Sequence, residues 1–322
     1  MNSKKSKILV TGGAGFIGSN LVDNLIKKGH EVVIIDDLSS GKEENINPKA
    51  KFYHLDIANR KISEVFEKEK PEVVFHLAAQ IDARGSVKDP FFDAKINILG
   101  FLNVLQNVLY YGNEWEKMPK FIFSSTGGAL YGETRKIPTV ETHPIVSESP
   151  YGLTKKTTEE YLGLYHKVAG LDFVALRYAN VYGPRQDGSK ESGVISIFIN
   201  RILEGEPFII HGNGKVTRDF VYVDDVVRAN LLALKKKTKK WDLKKRFLNV
   251  GTGRETSMTE LAKMILKVAD TESQIIYGPG KAGDIKRSAL SHTKIKKLLK
   301  WSPKVNLEKG IKKTIDFTAK QS

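Results

Sequence analysis

An apolar tripeptide, Ile8-Leu9-Val10, runs straight into Thr11-Gly12-Gly13-Ala14-Gly15-Phe16-Ile17-Gly18, and Leu21, Val22, Leu25 and Ile26 follow at helical spacing. This feature constrains the fold more than any other in the chain. A buried strand must turn sharply into a helix, and each of three glycines has a use there. Gly12 suits the tight turn, Gly15 lets a ligand approach the backbone, and Gly18 lets helix and strand pack closely. The helix then begins with free N–H groups and the positive end of its dipole, a natural seat for phosphate. Glycines alone are weak evidence, so the context matters. Glu31 to Asp36 reads as a second buried strand ending in an acid. That acid falls about 20 residues on, where a dinucleotide fingerprint places the carboxylate that accepts from ribose hydroxyls.

Asp37 beside Asp36 would repel a 2′-phosphate, which favours NAD over NADP; taken alone, Asp37 reads equally well as a solvated turn residue. Phe16 and Ile17 inside the glycine run, and Ser40 and Gly41 beyond the acidic pair, join the cofactor candidates. Asp56-Ile57 ends a third strand, where an adenine edge would be met. Leu77-Ala78-Ala79-Gln80 ends a fourth, and its small residues let backbone approach a cofactor. His76, inside the apolar run before that loop, reads as a packed core histidine. Asn97 lies where Asn is disfavoured in a helix, which suggests a bond to the active-site loop, with a surface Asn as the competing reading.

Strand and helix alternate through the first half. Phe52 to Asp56, Val73 to Ala78, Lys120 to Ser124 and Phe173 to Tyr178 read as strands, and Glu64 to Lys70, Phe91 to Tyr111 and Tyr151 to Ala169 as helices. The strands are apolar without alternation, the mark of a parallel sheet covered on both faces. The expected fold class is therefore α/β, a doubly wound parallel sheet with a smaller C-terminal lobe. Beyond Tyr182 the pieces shorten: helices at Val194 to Leu203, Asp224 to Leu234, Met258 to Val268 and Thr293 to Leu299, and strands at Phe208 to Ile210 and Phe247 to Val250. We expect a nucleotide-binding domain over 1–181, with segments near 219–251 returning to it, and a substrate lobe from 182–218 and 252–322. Asp224-Asp225 reads as a helix N-cap pair.

Across 322 residues there is no cysteine, which excludes disulfides, thiolate metal sites and cysteine nucleophiles. His143, His166, His211 and His292 have no ligand spacing between them, so no metal site is expected. No signal peptide or membrane span is evident, which predicts a soluble cytoplasmic protein. Lys and Arg number 52 against 37 acids. Such an excess suits an anionic partner. However, the densest run, Lys235 to Lys240 with Lys244 and Lys245, has few aromatics and reads as a solvated connection, so nucleic acid is not the expected partner.

The chemistry is sought where hydroxyls close an apolar strand. Ser124-Ser125-Thr126-Gly127-Gly128 follows Phe121-Ile122-Phe123, and Tyr151 and Lys155 follow four residues apart, one turn on one helix face. A free tyrosine has a pKa of about 10, and lowering it by about 3 units takes about 4 kcal/mol. One cation about 4 Å away supplies roughly that at an effective dielectric of 20. Lys155 is the expected cation, and Ser125 or Thr126 would hold a substrate hydroxyl against the phenolate. Tyr-x-x-x-Lys occurs on many helices by chance; the dinucleotide site upstream gives it weight.

These pieces resemble a known family. TGGAGFIG at 11–18, HLAAQ at 76–80, SSTGGALYGE at 124–133, YGLTK at 151–155, RYANVYGPRQ at 177–186 and RDFVYVDDV at 218–226 are similar to the extended short-chain dehydrogenase/reductases, and within them to the UDP-glucose 4-epimerases. The resemblance implies a Rossmann domain holding NAD and a lobe holding a UDP-sugar. It makes Tyr151 the base, Lys155 its partner and Thr126 the ligand of the sugar 4-hydroxyl, and it places Ser124 and Tyr178 at the cofactor. Asn180 and Arg218 would contact the diphosphate, and Val194 and Ile209 to His211 would border the uracil. Lys281 stands where the family usually has Arg, with Asp284 close by; Arg is the better diphosphate clamp, and Arg287 is a candidate to compensate. Ser288 falls where a bulky Tyr in some epimerases excludes N-acetylated sugars. Dehydratases of the family carry Asp-Glu after the active-site Thr, and decarboxylases a Glu. Gly127 and Gly128 here leave no acid to protonate a leaving hydroxyl. Pairing of the helices at 91–111 and 151–169 implies a homodimer. The alternatives are another nucleotide-sugar epimerase, such as a C5 epimerase, or oxidoreductase of the same family, and a non-catalytic Rossmann-derived RNA-binding protein.

Overall fold

The computed structural model describes residues 5–115, 117–188, 193–280 and 285–320. Strand β1 (Lys7–Thr11) enters helix α1 (Phe16–Lys27) through the glycine turn. Then come β2 (Glu31–Asp36), β3 (Lys51–His54), α2 (Ile62–Glu69) and β4 (Val73–His76). Two short helices follow, α3 (Ala83–Lys88) and α4 (Pro90–Ala94), capped by the side chains of Asp82 and Asp89. The single helix expected over 91–111 is instead α4, a π-helical stretch Lys95–Gly100 and α5 (Phe101–Glu114). Wide turns of this kind occur frequently at functional sites, and this one carries Asn97.

Strand β5 (Lys120–Thr126), helix α6 (Pro150–Ala169) and strand β6 (Phe173–Tyr178) complete the first half. Ser149 caps α6, Pro150 takes a first-turn position that needs no N–H, and Gly170 ends the helix at φ 68°. The second half adds β7 (Asn180–Tyr182), α7 (Val194–Leu203), β8 (Phe208–His211), β9 (Thr217–Arg218), β10 (Phe220–Tyr222), α8 (Val223–Lys235), β11 (Phe247–Val250), β12 (Thr256–Ser257), α9 (Met258–Ala269), β13 (Ile275–Gly278), α10 (Thr293–Leu299) and α11 (Leu307–Thr318).

Seven strands form one sheet in the order β11-β6-β5-β4-β1-β2-β3, every neighbour parallel. Alternate residues of each strand feed two cores. Ile8 and Val10 of β1 face the layer containing Leu21 and Val226, and Leu9 faces the layer containing Phe66, Phe101 and Leu162. The chain order reverses between β1 and β4, so a crevice opens at their C-terminal ends, where α/β sheets bind ligands. β10 pairs parallel with β7, β12 antiparallel with β9, and β13 parallel with β8. Helix α8 begins at Val223 behind Tyr222, which places Asp224 and Asp225 in its first turn and not at its cap. The buried Asp225 carboxylate instead accepts from the backbone N–H groups of Lys304 and Val305. No helix among the described residues is long and apolar enough to cross a membrane.

Candidate active site

The crevice floor is backbone. Gly12 sits at φ 72°, and a Cβ there would lie 2.6 Å from the Ala78 nitrogen. A Cβ on Gly18 would lie 1.9 Å from the Gly12 carbonyl oxygen. Gly15 differs: a Cβ would meet only that same oxygen, at 3.4 Å, so no protein packing excludes a side chain from this position. It opens a cradle at the N-terminus of α1, where no side chain caps the helix and no acid occupies the first turn around Phe16 and Ile17. Asp36 is 6% exposed at the end of β2. Its carboxylate accepts from the N–H groups of Ala14 and Leu38, at 2.9 Å each. Burial raises its pKa, against those two hydrogen bonds. Gly41 packs against it, since a Cβ there would reach Asp36 Oδ1 at 2.8 Å; Ser40 is exposed in the same turn. Asp37 is engaged in that turn by the N–H and hydroxyl of Ser39. Asp56 accepts from the Ala58 N–H at 2.8 Å, and Ile57 is buried beside Gly100. An uncapped helix start, an open glycine and a carboxylate at the strand end fit the pyrophosphate and ribose of a dinucleotide.

At β4 the N–H groups of Leu77 and Ala78 both donate to the Thr11 carbonyl at 3.1 Å, drawing this loop, with Ala79 behind it, onto the glycine turn. His76 lies beneath, 2% exposed, with Nδ1 2.8 Å from the Thr11 hydroxyl and its ring among Phe101, Phe121 and Phe123. Burial first and Lys155 second push its pKa down to about 3, so it is a neutral core histidine. Asn97 holds the Gln80 backbone from both sides, accepting from its N–H at 3.0 Å and donating to its carbonyl at 2.9 Å.

Tyr151 and Lys155 come together as their spacing predicts. Lys155 is 4% exposed; its Nζ donates to the Ser124 carbonyl at 3.1 Å and stands 4.8 Å from the Phe123 ring centre and 6.0 Å from that of Tyr151. Burial pulls its pKa down to about 8, leaving it a cation at neutral pH. The phenol departs from expectation. Burial first, then the negative charge of Asp93, push the Tyr151 pKa up, and only a hydrogen bond with Thr126 pulls it down. The protein's own groups therefore do not acidify it. The Ser124 hydroxyl bonds the phenol of Tyr178, which also takes 2.8 Å from the Asn230 side chain in the core under α8.

Strand alternation separates Ser125 from its neighbours. Its hydroxyl donates to Glu159 Oε1 at 2.7 Å, on the face carrying Phe121 and Phe123, so Thr126 alone of the two serves Tyr151. Glu159 pairs in turn with Arg177, whose Nη1 donates to the Tyr131 hydroxyl at 2.7 Å. Besides Glu159, two carboxylates escape the sequence reading. Asp93, fully buried, accepts from Thr154, Asn97 and Gln80. Asp219, 1% exposed, accepts from the N–H groups of Thr252, Gly253 and Leu290. The signal for Asp93 is its i, i+4 relation to Asn97; for Asp219 it is a charge wedged between apolar residues and Arg218.

Past Thr126 the Gly127 N–H donates to the Tyr178 carbonyl, and a Cβ on Gly127 would lie 2.3 Å from a methyl of the buried Leu290. Packing thus excludes a side chain at 127. At 128 space is open, with Asn180 Oδ1 at 3.8 Å the only atom a Cβ would meet. Asn180 is exposed above it. Arg218 donates to the Thr217 and Ile285 carbonyls. Arg287, the candidate to back up Lys281, is committed to Glu255 at 2.9 Å. Lys281 and Asp284 lie outside the described residues. Val194 opens α7, and Ile209 and His211 lie on the exposed side of β8, beside Ile276 and Gly278 of β13. Ser288 is half-buried, two residues from Leu290.

Residues 8–251 match the NAD dependent epimerase/dehydratase family. Over 310 residues the chain is 45% identical to a putative UDP-glucose 4-epimerase of Methanocaldococcus jannaschii, covering 96% of this chain and 97% of that one. The crystal structure of a UDP-glucose 4-epimerase from Thermotoga maritima with UDP-glucose superposes with a TM-score of 0.93 at 48% identity, covering 98% and 99% of the two chains. A UDP-N-acetylglucosamine 4-epimerase from Methanobrevibacter ruminantium M1, in complex with UDP-N-acetylmuramic acid, superposes with a TM-score of 0.91 at 33% identity, covering 99% and 100%. The chain belongs to the NAD dependent epimerase/dehydratase family, as an NAD-dependent enzyme of the UDP-glucose 4-epimerase-like kind.

Proposed function

We propose that the protein interconverts the C4 epimers of a UDP-hexose. One observation carries the reading: Tyr151, Thr126 and Lys155 converge beside the open glycine cradle, and glycine follows Thr126 where a dehydratase would need an acid. Thr126 holds the sugar 4-hydroxyl, and Tyr151 takes its proton as C4 becomes a ketone. Lys155 steadies the phenolate. Oxidised NAD, which the glycine turn, Asp36 and the Leu77–Gln80 loop would hold, would supply the acceptor of the C4 hydride and then its donor, and would add a positive charge to that of Lys155. After the ketone presents its other face, Tyr151 returns the proton to O4, and the sugar leaves inverted with no net oxidation. The lobe around β8, β13 and 285–290 takes the nucleotide, with Asn180 and Arg218 on the diphosphate and Val194, Ile209 and His211 at the base.

Ser288 favours a second substrate pair, UDP-N-acetylglucosamine and UDP-N-acetylgalactosamine. It is small, and Leu290 two residues on abuts the turn after Thr126. Exposed apolar residues on the helices expected to pair, Phe91, Leu99 and Tyr110 on one side and Leu153, Leu164 and Val168 on the other, support a homodimer through them. We place the enzyme in the cytoplasm, acting in galactose or amino-sugar metabolism. The test is incubation of purified protein with UDP-glucose, UDP-galactose and their N-acetyl forms, with the products resolved. A C4 epimer from at least one is expected; none from any of the four refutes the reading. Tyr151→Phe should retain NAD and lose activity by about 10²- to 10⁴-fold, the usual worth of a positioned acid–base.

A further inference from the structure

We propose that Asp93 is a positioning residue for the Tyr151–Lys155 pair, a buried carboxylate that pins the first turns of α6 to the loop after β4 and sets a negative charge behind both groups. The inference rests on the reading that this pair moves the substrate's proton. Three donors from three elements converge on the one carboxylate. The Thr154 hydroxyl donates to Oδ2 at 2.9 Å, Asn97 Nδ2 to Oδ1 at 2.9 Å, and Gln80 Nε2 to Oδ1 at 3.1 Å. Thr154 lies between Tyr151 and Lys155 on α6, and its hydroxyl is 3.0 Å from the Tyr151 carbonyl. Through Thr154 the carboxylate fixes the turn that carries the pair. Through Asn97 and Gln80 it fixes the same turn against the cofactor loop.

Burying a carboxylate without a cation is costly, and such groups concentrate at functional sites. Among the described residues Asp93 forms no ion pair. Glu159, one turn beyond Lys155, is neutralised by Arg177 of β6. His76 of β4 is neutral, and β5 presents uncharged groups to the pair: the Ser124 carbonyl and the Phe123 ring to Lys155, and the Thr126 hydroxyl to Tyr151. Asp93 is thus the unneutralised charge that faces Lys155 and Tyr151, and its field raises the proton affinity of both. It keeps the lysine charged in an apolar setting, at the expense of a less acidic phenol.

One negative charge acting on two groups leaves a signature that a scaffold role does not. Asp93→Asn removes the charge while nearly keeping the shape. Both limbs of the pH–kcat profile should then move to lower pH by about one unit, with kcat at the optimum down about tenfold and NAD still bound. Asp93→Glu keeps the charge at the expense of geometry; its rate should fall with the limbs unmoved. Because the amide leaves a donor unpaired, Asp93→Asn with Thr154→Val serves as a second neutral variant and should carry the same shift. Neutral variants with wild-type limbs overturn the proposal, whatever their rate. If Tyr151→Phe keeps full activity, the reading of the pair falls and this inference with it. If Tyr151→Phe is inactive while the neutral variants titrate as wild type, this inference alone fails.

Discussion

The two walls of the crevice are built differently. The cofactor wall is local: a backbone turn of seven residues, a strand end, and a carboxylate 22 residues away holding the Ala14 N–H. The wall we propose for the substrate is assembled from distant pieces. Asp219 gathers Thr252, Gly253 and Leu290, which lie 33, 34 and 71 residues along the chain, and Leu290 then packs onto the turn after Thr126. Backbone donors at a helix start suit a phosphate, a group that every dinucleotide carries. Side chains brought from afar can change one at a time, which is what a wall facing variable sugars requires. The comparison predicts that damage to the cofactor wall removes everything, whereas damage to the substrate wall spares NAD.

Gly18→Val is the most severe way to break the cofactor wall. A Cβ 1.9 Å from the Gly12 oxygen cannot coexist with that turn, so helix and strand must separate. NAD affinity should fall by roughly 100-fold or more, about 2.7 kcal/mol at tenfold per 1.4, and activity with it. Titration of the variant with NAD, followed by protein fluorescence, measures this. Wild-type affinity would mean that the turn is not where the dinucleotide lies.

The same contrast explains what was legible in the sequence. The sheet was, because apolar runs such as Phe173–Tyr178 and helix patterns such as Thr293–Leu299 are local and the structure places both with those bounds. The glycine turn and the Tyr151–Lys155 spacing were legible for the same reason. Helix α11 escaped notice although Leu307, Ile311 and Ile315 recur at its spacing, since charged residues dominate between them. The break at Lys95–Gly100 was hidden because a wide turn leaves no composition signal. Ser125 and Thr126 looked equivalent as neighbours; only the sheet shows that one faces Glu159. An acid on a helix, like Asp93, reads as solvated until its partners Thr154 and Gln80 are placed around it. The fall expected in the Tyr151 pKa failed on the same ground: burial and then the charge of Asp93 raise it, and the Lys155 Nζ stands 6.0 Å from the ring centre.

Asp219→Ala addresses the other wall. It leaves the N–H groups of Thr252, Gly253 and Leu290 without their acceptor in a buried setting. Hydrogen bonds to a charged group are worth about 1.5–3 kcal/mol each, and water entering the gap recovers part, so a loss of about 3 kcal/mol is expected. Thermal unfolding should show a lower Tm. NAD affinity should stay within about twofold, while KM for the UDP-sugar rises about tenfold as Leu290 loosens. Equal losses at both ligands would show that the two walls are not independent.

Ser288→Tyr has the smallest effect, because it changes preference and not function. The position is half-buried, and Leu290, two residues on, packs against Gly127, so on the proposed reading a phenol at 288 would project near the sugar at Thr126. An N-acetyl group is several atoms larger than the hydroxyl it replaces, and a pocket discriminates by size at about 10- to 200-fold per methylene-sized change. The ratio of kcat/KM for UDP-galactose over UDP-N-acetylgalactosamine should therefore rise about tenfold, chiefly through poorer use of the larger sugar. NAD content and Tm should not change, because no atom of the cofactor wall is touched. A ratio that stays put would remove Ser288 from the sugar's surroundings and leave the discrimination to residues of the lobe nearer 280. A fall in bound NAD would carry more weight, since it would mean that a substitution on the assembled wall reaches the local one.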